Sequence, residues 1–210
     1  AQDMTQLFYK LVCKINRDNG KNCKMCLVGD KNQSIFEFNH ADVRYIKCAD
    51  RLFNFNDNPW KTVNLSTSFR ISHEMVLFIN KCVLRENRMK SNKITHNKPR
   101  YVICDSFRCP FDEVQYYISK GFKADDIFVL APSVKNKYSP PRRLENRIKN
   151  ETNLSVFVPS GDNEKINESL IKNKIVFSTF HQVKGLERPV VIVFNFDDTY
   201  FKYYDRKGPQ

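Results

Sequence analysis

Four short segments carry most of the side chains that could do chemistry in this sequence. They are residues 1–3, 27–38, 65–70 and 178–187. Each one places polar or aromatic groups next to a stretch with helix or strand character. Because ligands of open α/β sheets bind at the carboxyl ends of the strands, we expect these segments to lie close to a ligand.

The second segment follows a short apolar run that we predict to be a buried strand at 24–28. Its Gln33 is neutral and carries both a hydrogen-bond donor and an acceptor, so its hydrogen bonds can change with the presence of a terminal phosphate. Phe36 and Phe38 follow, and exposed rings beside basic residues form stacking platforms for bases, worth about 1–3 kcal/mol each. Spacing alone leaves open the alternative that both rings are core residues of a strand.

The third and fourth segments offer groups suited to a nucleotide. The Arg70 guanidinium can grip a phosphate with two parallel hydrogen bonds and the Phe69 ring can stack on a purine, although a structural ion pair is the alternative for the arginine. Lys184 can meet a phosphate or an acidic partner, and Gly185 allows close backbone approach. Glu187 can accept a hydrogen bond from a ribose hydroxyl.

Helix and strand patterns alternate along the chain, which predicts an α/β protein with parallel sheets flanked by helices. A polar stretch ending at Pro99 predicts a linker at 91–99 between domains at 1–90 and 100–210. Asp3 is the predicted cap of the first helix and Ser72 that of the third. The predicted helices are 4–17, 41–51, 72–85, 111–120, 141–150 and 181–186, and the predicted strands are 24–28, 61–66, 101–104, 127–130, 156–158, 174–178 and 190–194.

The composition favours a polyanionic partner. The 210 residues carry a net charge of +12, and phosphates neutralised by basic side chains release condensed counterions. A solvated basic surface that only keeps the protein soluble is the alternative. No apolar run is long enough to span a bilayer, and we expect no membrane partner.

Seven scattered cysteines, an odd number, predict a reducing intracellular compartment. Nothing in the sequence separates nucleus from cytoplasm, and a viral origin is one alternative. Cys23 and Cys26 have the spacing of zinc ligands, but no second pair matches them, so we predict no metal site.

The four segments together resemble the UvrD/Rep-like group of superfamily 1 helicases, over residues 1 to about 196. Residues 1–3 resemble the tail of that family's Asp-Glu-x-Gln-Asp magnesium-binding motif. Residues 27–41 resemble its Val-Gly-Asp-x-x-Gln-Ser-Ile-Tyr motif, and 68–70 its Asn-Tyr-Arg motif. Residues 179–187 resemble its Thr-x-His-x-x-Lys-Gly-Leu-Glu motif.

The resemblance implies a P-loop NTPase fold: part of one RecA-like lobe and most of a second, with ATP in the cleft between them. The parent would be an ATP-dependent DNA helicase that uses Mg²⁺ and moves 3′→5′ on single-stranded DNA, with RNA as an alternative strand and a monomer as the expected state. Gln33 and Arg70 would be catalytic, near the γ-phosphate. The implied ATP-binding residues are Gln2, Asp3, Gln33, Phe69, Arg70, Lys184, Gly185 and Glu187, and the implied nucleic-acid contacts are Phe36, Phe38, Asn39 and His181.

The departures from the family pattern also carry expectations. Asn39 and His40 stand where the family usually has Arg-Gly, and Phe36 and Phe69 replace tyrosines. No Gly-x-x-x-x-Gly-Lys-Ser/Thr phosphate loop occurs, so we expect the isolated chain to be inactive. About 15 residues separate Val158 from Lys174, too few for the accessory domain that larger members insert there.

The alternative function is a degenerate, helicase-derived module that binds nucleic acid or docks on a protein without motor activity. A phosphate loop in the reading frame upstream of this chain would favour the motor over that module.

Overall fold

The computed structural model describes residues 1–21, 23–55, 59–103, 108–161, 164 and 166–194. The chain divides into two compact units, Ala1–Tyr101 and Val102–Gln210.

The described residues of the first unit form helices joined by irregular segments, with no strand among them. Helices α1 Gln6–Asp18, α2 Arg44–Lys47, α3 Ala49–Leu52 and α4 His73–Phe78 follow in chain order, and α4 continues into a π-helical turn at Ile79–Leu84. Two 3-10 turns, Lys31–Gln33 and Glu37–Asn39, lie between α1 and α2.

Local capping sets the ends of these helices. The Thr5 hydroxyl caps α1 by accepting from the Phe8 amide at 3.5 Å, so the prediction of Asp3 as the cap is wrong. The reason is a turn at residues 1–4, closed by the Met4 amide, which delays the start of the helix. The helix ends at Asp18 with Asn19 as its cap, and Asn19 and Gly20 stop it as predicted; Gly20 adopts a φ of +66° that glycine tolerates without strain.

Aromatic rings form the core of the first unit. Tyr9 of α1 stacks on Tyr45 of α2 with 5.1 Å between ring centroids, and it meets the buried Phe53 edge-on at 5.3 Å. The Tyr9 hydroxyl also donates to the Leu52 carbonyl at 3.0 Å. Offset and edge-on ring pairs stabilise such clusters beyond their buried area, so α1 is fixed against α2 and α3.

The strands predicted at 24–28 and 61–66 are wrong. Both stretches are irregular, and Val28 and Leu65 are exposed. A strand needs a hydrogen-bonded neighbour, and the described residues of this unit pair only through isolated bridges, Thr5 with Ala41 and Thr67 with Lys90. Residues 101–103 are also irregular, while Cys104 lies outside the described residues.

The second unit confirms the predicted α/β class, with a parallel sheet flanked by helices. Its sheet has the order β2-β3-β1-β4, and every pairing is parallel. The strands are β1 Ile127–Ala131, β2 Val156–Phe157, β3 Ile175–Thr179 and β4 Val190–Val193, and the helices are α5 Cys109–Ser119, α6 Pro140–Glu151 and α7 Glu168–Ile171.

Both faces of this sheet are covered. Alternate residues of β1 and β3 face opposite sides, and one face packs with Val114 of α5 and Ile148 of α6. On the other face, the cluster of Phe128, Leu130 and Val176 is covered by α7 and by the segment that follows β3. Because both faces are covered, β1 and β3 are buried along their whole length, as their near-continuous apolar runs predict.

The connection from β3 to β4, residues 180–189, passes from the carboxyl end of one strand to the amino end of the other. Its first part is a series of turns, so the helix predicted at 181–186 is wrong. The Lys184 amide donates to the His181 carbonyl at 3.4 Å and the Leu186 amide to the Val183 carbonyl at 2.9 Å, which are three-residue turns. Gly185 then adopts a φ of +91°, which an α-helix excludes.

Candidate functional site

Asp30 organises the first candidate site. Its Oδ1 accepts from the Asn32 amide at 3.1 Å and from the Arg88 guanidinium at 2.8 Å. Its Oδ2 accepts from the Gln33 side-chain amide at 3.0 Å. The exposed Gln33 is therefore oriented by a carboxylate rather than left to rotate.

Gln2 joins the first predicted segment to this turn. Its Oε1 accepts from the Asp30 amide at 3.3 Å, its Nε2 donates to Asp3 Oδ2 at 3.4 Å, and its carbonyl accepts from the Ser34 hydroxyl at 3.2 Å. A Cβ on Gly29 would lie 2.5 Å from Gln2 Oε1, closer than real contacts allow. Glycine at position 29 thus permits the approach of the two segments.

Hydrogen bonding keeps Asp30 ionised. Burial raises its pKa, but the Asn32 amide and the Arg88 and Gln33 side chains donate to the charged form, and the net pKa lies below its usual range. Arg88 was not predicted as a site residue. Its polar surroundings in the sequence gave no signal that it pairs with a carboxylate 58 positions earlier.

Residues 88–96, here termed the strap, hold the predicted Phe69–Arg70 loop from both sides. On the upstream side, the Ser68 amide donates to the Lys90 carbonyl and the Lys90 amide to the Ser66 carbonyl, each at 2.8 Å. On the downstream side, the buried Ser91 hydroxyl donates to the Ile71 carbonyl at 2.7 Å. The strap thus fixes the backbone around the loop. The predicted domain boundaries, with the linker at 91–99, stay a prediction.

Two further side chains fasten the strap to α4 and the π-helical turn. The side-chain amide of the buried Asn80 donates to the Met89 carbonyl at 2.9 Å and accepts from the Met89 amide at 3.0 Å. The Glu74 carboxylate accepts from the Thr95 amide and hydroxyl and from the His96 amide. Hydrogen bonds from its own amide and from these groups lower the pKa of Glu74 to about 2.

Phe69 and Arg70 project from this fixed backbone. The Phe69 side chain is 88% exposed, which leaves its ring faces accessible for stacking. Arg70 is exposed as well, and its carbonyl accepts from Lys93 Nζ at 3.4 Å. The strap begins at Arg88, so one continuous set of contacts links the Gln33 turn to the Phe69–Arg70 loop.

The predicted nucleic-acid residues of this unit lie around the second 3-10 turn. Phe36 is partly buried, and its carbonyl accepts from the amides of Asn39 at 2.9 Å and Ala41 at 3.2 Å. Asn39 is exposed. For Phe38 the backbone is in the turn, while its side chain lies outside the described part. Neither phenylalanine is in a strand, which removes the strand-core alternative.

Gln182 is the centre of the site in the second unit. Its Oε1 accepts from the Ser178 hydroxyl at 3.0 Å and from the Thr179 amide and hydroxyl at 3.3 and 3.1 Å. Its Nε2 donates to the Gly161 carbonyl at 2.7 Å. The motif pattern treats position 182 as variable, so sequence reasoning missed this residue that joins the end of β3 to a neighbouring loop.

The predicted residues after β3, here called the row by their order in the chain, lie in the turns and the irregular stretch that follow the strand. Phe180, Val183 and Leu186 pack on the sheet and recur every three residues. His181 and Lys184 lie in the turns, and Glu187 follows Gly185, whose φ of +91° interrupts the register between Lys184 and Glu187. His181 and Lys184 are partly buried, while Gly185 and Glu187 are exposed.

Arg188 anchors the far end of this row at the amino ends of β1 and β3. Its guanidinium lies 4.7 Å from the Phe128 ring centroid. Burial lowers the pKa of Arg188, and the nearby Asp125 and Asp126 oppose the shift. Sequence reasoning did not predict this role. The guanidinium donates to the carbonyls of Lys174 at 2.7 Å, Ile127 at 2.8 Å, Ile171 at 3.1 Å and Ala124 at 3.3 Å.

The predicted ATP residues are divided between the units. Gln2, Asp3, Gln33, Phe69 and Arg70 belong to the first unit, and Lys184, Gly185 and Glu187 to the second. Hydrogen bonds around Asp30 bring Gln2, Asp3 and Gln33 together. The strap joins this group to the loop of Phe69 and Arg70.

No group of three His, Cys, Asp or Glu side chains in the described residues could hold a metal ion. Mg²⁺ that binds together with ATP takes one or two carboxylates besides phosphate oxygens and waters, so the ion that the resemblance implies does not require such a group. No helix in the described part is long and apolar enough to cross a membrane.

Residues 1–54 match the family model of the UvrD/REP helicase N-terminal domain. The match contains Gln2, Asp30 and Gln33, and it confirms the resemblance over those residues, which carry the first two motifs. No curated protein and no solved structure matches the chain significantly.

Proposed function

We propose that the chain belongs to an ATP-driven motor that moves along single-stranded DNA, because residues 1–54 match the model of a UvrD-like helicase domain. The observation that carries this proposal is the joining of residues 1–3 to the Asp30–Gln33 turn inside the matched segment. In this reading the two units correspond to a part of one RecA-like lobe and most of a second. The 3′→5′ direction rests on the family alone.

In the first unit, three side chains would act on ATP as substrate. Gln33, oriented by Asp30, would respond to the γ-phosphate or to the attacking water. Arg70 would neutralise charge that develops on the transferred phosphoryl group. Phe69 would stack on the adenine, which its 88% exposure supports.

In the second unit, the row after β3 would contact both ATP and the DNA strand. Glu187 would accept from the ribose, Lys184 and Gly185 would lie on the nucleotide side, and His181 would contact the strand. The position of this row directly after a parallel strand supports the assignment, since that edge of an α/β sheet is where ligands bind. Phe36, Phe38 and Asn39 of the first unit would contact the same strand.

This chain by itself is proposed to lack ATP hydrolysis. The sequence has no phosphate-loop lysine, and no catalytic step is assigned to Mg²⁺. With an odd number of cysteines, a reducing intracellular compartment is proposed as the protein's location.

The test is ATP hydrolysis, with and without single-stranded DNA, by the longest native reading frame that contains this chain. Arg70→Ala should lower the stimulated rate about 10³-fold or more if it meets the γ-phosphate. Arg51→Ala, an exposed arginine of α3 in the same unit, is the matched control and should leave the rate unchanged.

Three outcomes separate the hypotheses. A stimulated rate that collapses only with Arg70→Ala supports the motor and the role of Arg70. Equal rates for both variants remove Arg70 from the chemistry. No hydrolysis by the native frame, with salt-sensitive strand binding retained, rejects the motor in favour of the helicase-derived binding module.

A further inference from the structure

The Gln182 side chain bridges the carboxyl ends of two neighbouring strands. β2 ends at Phe157, which pairs with Val176 of β3, so the last residues of β3 extend past the end of β2. Beyond that point the Gln182 amide bonds to both segments. It accepts from the Thr179 amide at 3.3 Å and donates to the Gly161 carbonyl at 2.7 Å. A side-chain amide carries the same donor and acceptor as a peptide group, so Gln182 continues the ladder as one peptide unit would.

The orientation of this amide is fixed by its partners. Oε1 faces the Thr179 backbone N–H, which only donates, and the hydroxyls of Ser178 and Thr179 at 3.0 and 3.1 Å. Nε2 faces the carbonyls of Gly161 and Glu164, which only accept. A reversed amide would place two oxygens 2.7 Å apart. The bridge therefore requires one accepting side and one donating side.

Both ends of the bridge are firmly held. Ser178 and Thr179 are buried in the sheet. On the other side, the described residues Ser160, Gly161 and Glu164 form a turn, here called the Gly161 turn. The Glu164 amide donates to the Gly161 carbonyl at 3.2 Å, and the Glu164 carboxylate accepts from the Ser160 amide at 2.6 Å and hydroxyl at 2.8 Å. The turn is thus closed before Gln182 binds it.

His181 and Lys184 lie on either side of Gln182 in the chain. The backbone bond between them, from the Lys184 amide to the His181 carbonyl, is 3.4 Å long. Backbone hydrogen bonds are usually about 2.7–3.2 Å, so this one holds the turn weakly. The Gln182 side chain adds three accepted and two donated hydrogen bonds at the same place. The position of both neighbours therefore depends on the bridge.

We propose that Gln182 is a positioning residue for strand-stimulated ATP hydrolysis. It holds His181 and Lys184 at the carboxyl end of β3, the edge of the sheet where ligands bind. The ligand roles of those two residues rest on the proposed function, whereas the bridge rests only on the contacts of Gln182. Gln182 acts through its neighbours and touches neither ATP nor the strand.

The first test replaces Gln182 with methionine in the longest native reading frame. Gln182→Met keeps the length of the side chain and removes both the donor and the acceptor. The ratio of strand-stimulated to unstimulated ATP hydrolysis should fall about 10²-fold, because a misplacement of about 1 Å is enough for such a loss. Destabilisation alone would lower both rates by the same factor and leave the ratio unchanged.

A glutamate at this position gives a pH-dependent rescue. A protonated carboxyl has one acceptor and one donor, as the amide has, whereas the ionised form turns an oxygen towards the Gly161 and Glu164 carbonyls. In Gln182→Glu the ratio, relative to wild type at the same pH, should recover as the pH falls from about 8 to 5.5, because burial and the two carbonyls raise the pKa of the introduced carboxyl above its usual value of about 4.3. The charged groups of Glu164, His181 and Lys184 are common to both proteins, and Gln182→Met should show no recovery.

Gln115 of α5 is the matched control in the same unit. Its buried Nε2 has no hydrogen-bond partner in the described part of the chain. Gln115→Met removes the same chemical groups and should leave the ratio unchanged.

A second measurement detects the bridge without ATP or DNA. In the 210-residue chain, Gln182→Met should speed hydrogen exchange at the Thr179 amide, which loses its acceptor, and at the Glu164 amide of the Gly161 turn. Gln115→Met should leave exchange at both amides unchanged.

The outcomes separate the bridge, its role and the motor. Equal exchange in wild type and Gln182→Met would overturn the bridge. Faster exchange with an unchanged hydrolysis ratio would make the bridge purely structural, which overturns the positioning role and leaves the motor proposal standing. Absent hydrolysis by the wild-type native frame would reject the motor and with it the positioning role, while the exchange result would still decide the bridge.

Discussion

Breaking the ion pair between Asp30 and Arg88 should loosen the loop that carries Phe69 and Arg70. The perturbation is a double-mutant cycle of Asp30→Asn, Arg88→Gln and the two together. Arg88 is the first residue of the strap, and two residues later Lys90 accepts from the Ser68 amide. Loss of the ion pair should therefore loosen the strap at Lys90 and, through its hydrogen bond with Ser68, the loop that carries Phe69.

The coupling energy follows from distance and exposure. The charges are 2.8 Å apart, and the two side chains are 33% and 31% exposed. Hydrogen bonds to charged groups contribute about 1.5–3 kcal/mol when buried, and exposed ion pairs about 0.2–1 kcal/mol. For a pair about two-thirds buried we expect a coupling of about 1 kcal/mol at pH 7.

The assay combines two measurements on the 210-residue chain. Trp60, the single tryptophan, lies in the first unit, so its fluorescence during urea unfolding reports that unit. Hydrogen exchange of the Ser68 and Lys90 amides reports the strap. Arg88→Gln should speed exchange at both amides, and the coupling should be lost in acid.

The sign of the pH effect follows from the lowered pKa of Asp30. A carboxyl group with a depressed folded pKa contributes stability above its unfolded pKa of about 3.9, and that stability disappears as the pH falls through the folded value. The Asp30→Asn variant should therefore lose less stability than the wild type when the pH falls below about 4.

Asp42 and Arg44 provide the control ion pair, because they lie 2.6 Å apart in the same unit and outside the strap. Asp42→Asn should leave exchange at Ser68 unchanged. A coupling energy near zero for Asp30 and Arg88, with Ser68 exchange equal in all variants, would refute the strap as a link between the two segments.

Two further predictions concern other fixed points of the fold. Glu74→Gln should flatten the dependence of the first unit's stability on pH between about pH 4.5 and 2. The wild-type carboxylate is stabilising above its unfolded pKa and loses its hydrogen bonds to Thr95 and His96 as it becomes protonated. Urea unfolding midpoints across that pH range test this, and parallel profiles for the two proteins would contradict it. Arg188→Met should destabilise the second unit by about 2–4 kcal/mol, because several buried carbonyls lose their hydrogen-bond donor. Arg188→Lys should destabilise it by less. Circular dichroism during urea unfolding measures both variants, and midpoints equal to that of the wild type would exclude the anchoring role.

Local sequence determined a large part of this protein. The apolar runs of β1 and β3 predict strands buried on both faces, because two covered faces leave no polar alternation. Ser72 predicts the start of α4, and Asn19 with Gly20 the end of α1, since caps act within one helical turn. The motifs around Asp30 and Gln33 also indicated the helicase family whose N-terminal domain model matches residues 1–54. The ligand roles of the individual site residues stay predictions.

Tertiary structure decided what depends on distant partners. The run at 24–28 has strand composition, but no described neighbour pairs with it, so it stays irregular. The segment at 181–186 has helical spacing, yet packing of every third residue on the sheet makes it a series of turns. The neighbouring sequence does not predict the partners of Arg88 and Arg188. Folding places the Arg88 guanidinium against the Asp30 carboxylate and the Arg188 guanidinium against four backbone carbonyls. Nearest-neighbour preferences encode caps and periodicity, whereas the partner of a charged or polar group is set by which segments the fold brings within about 3 Å.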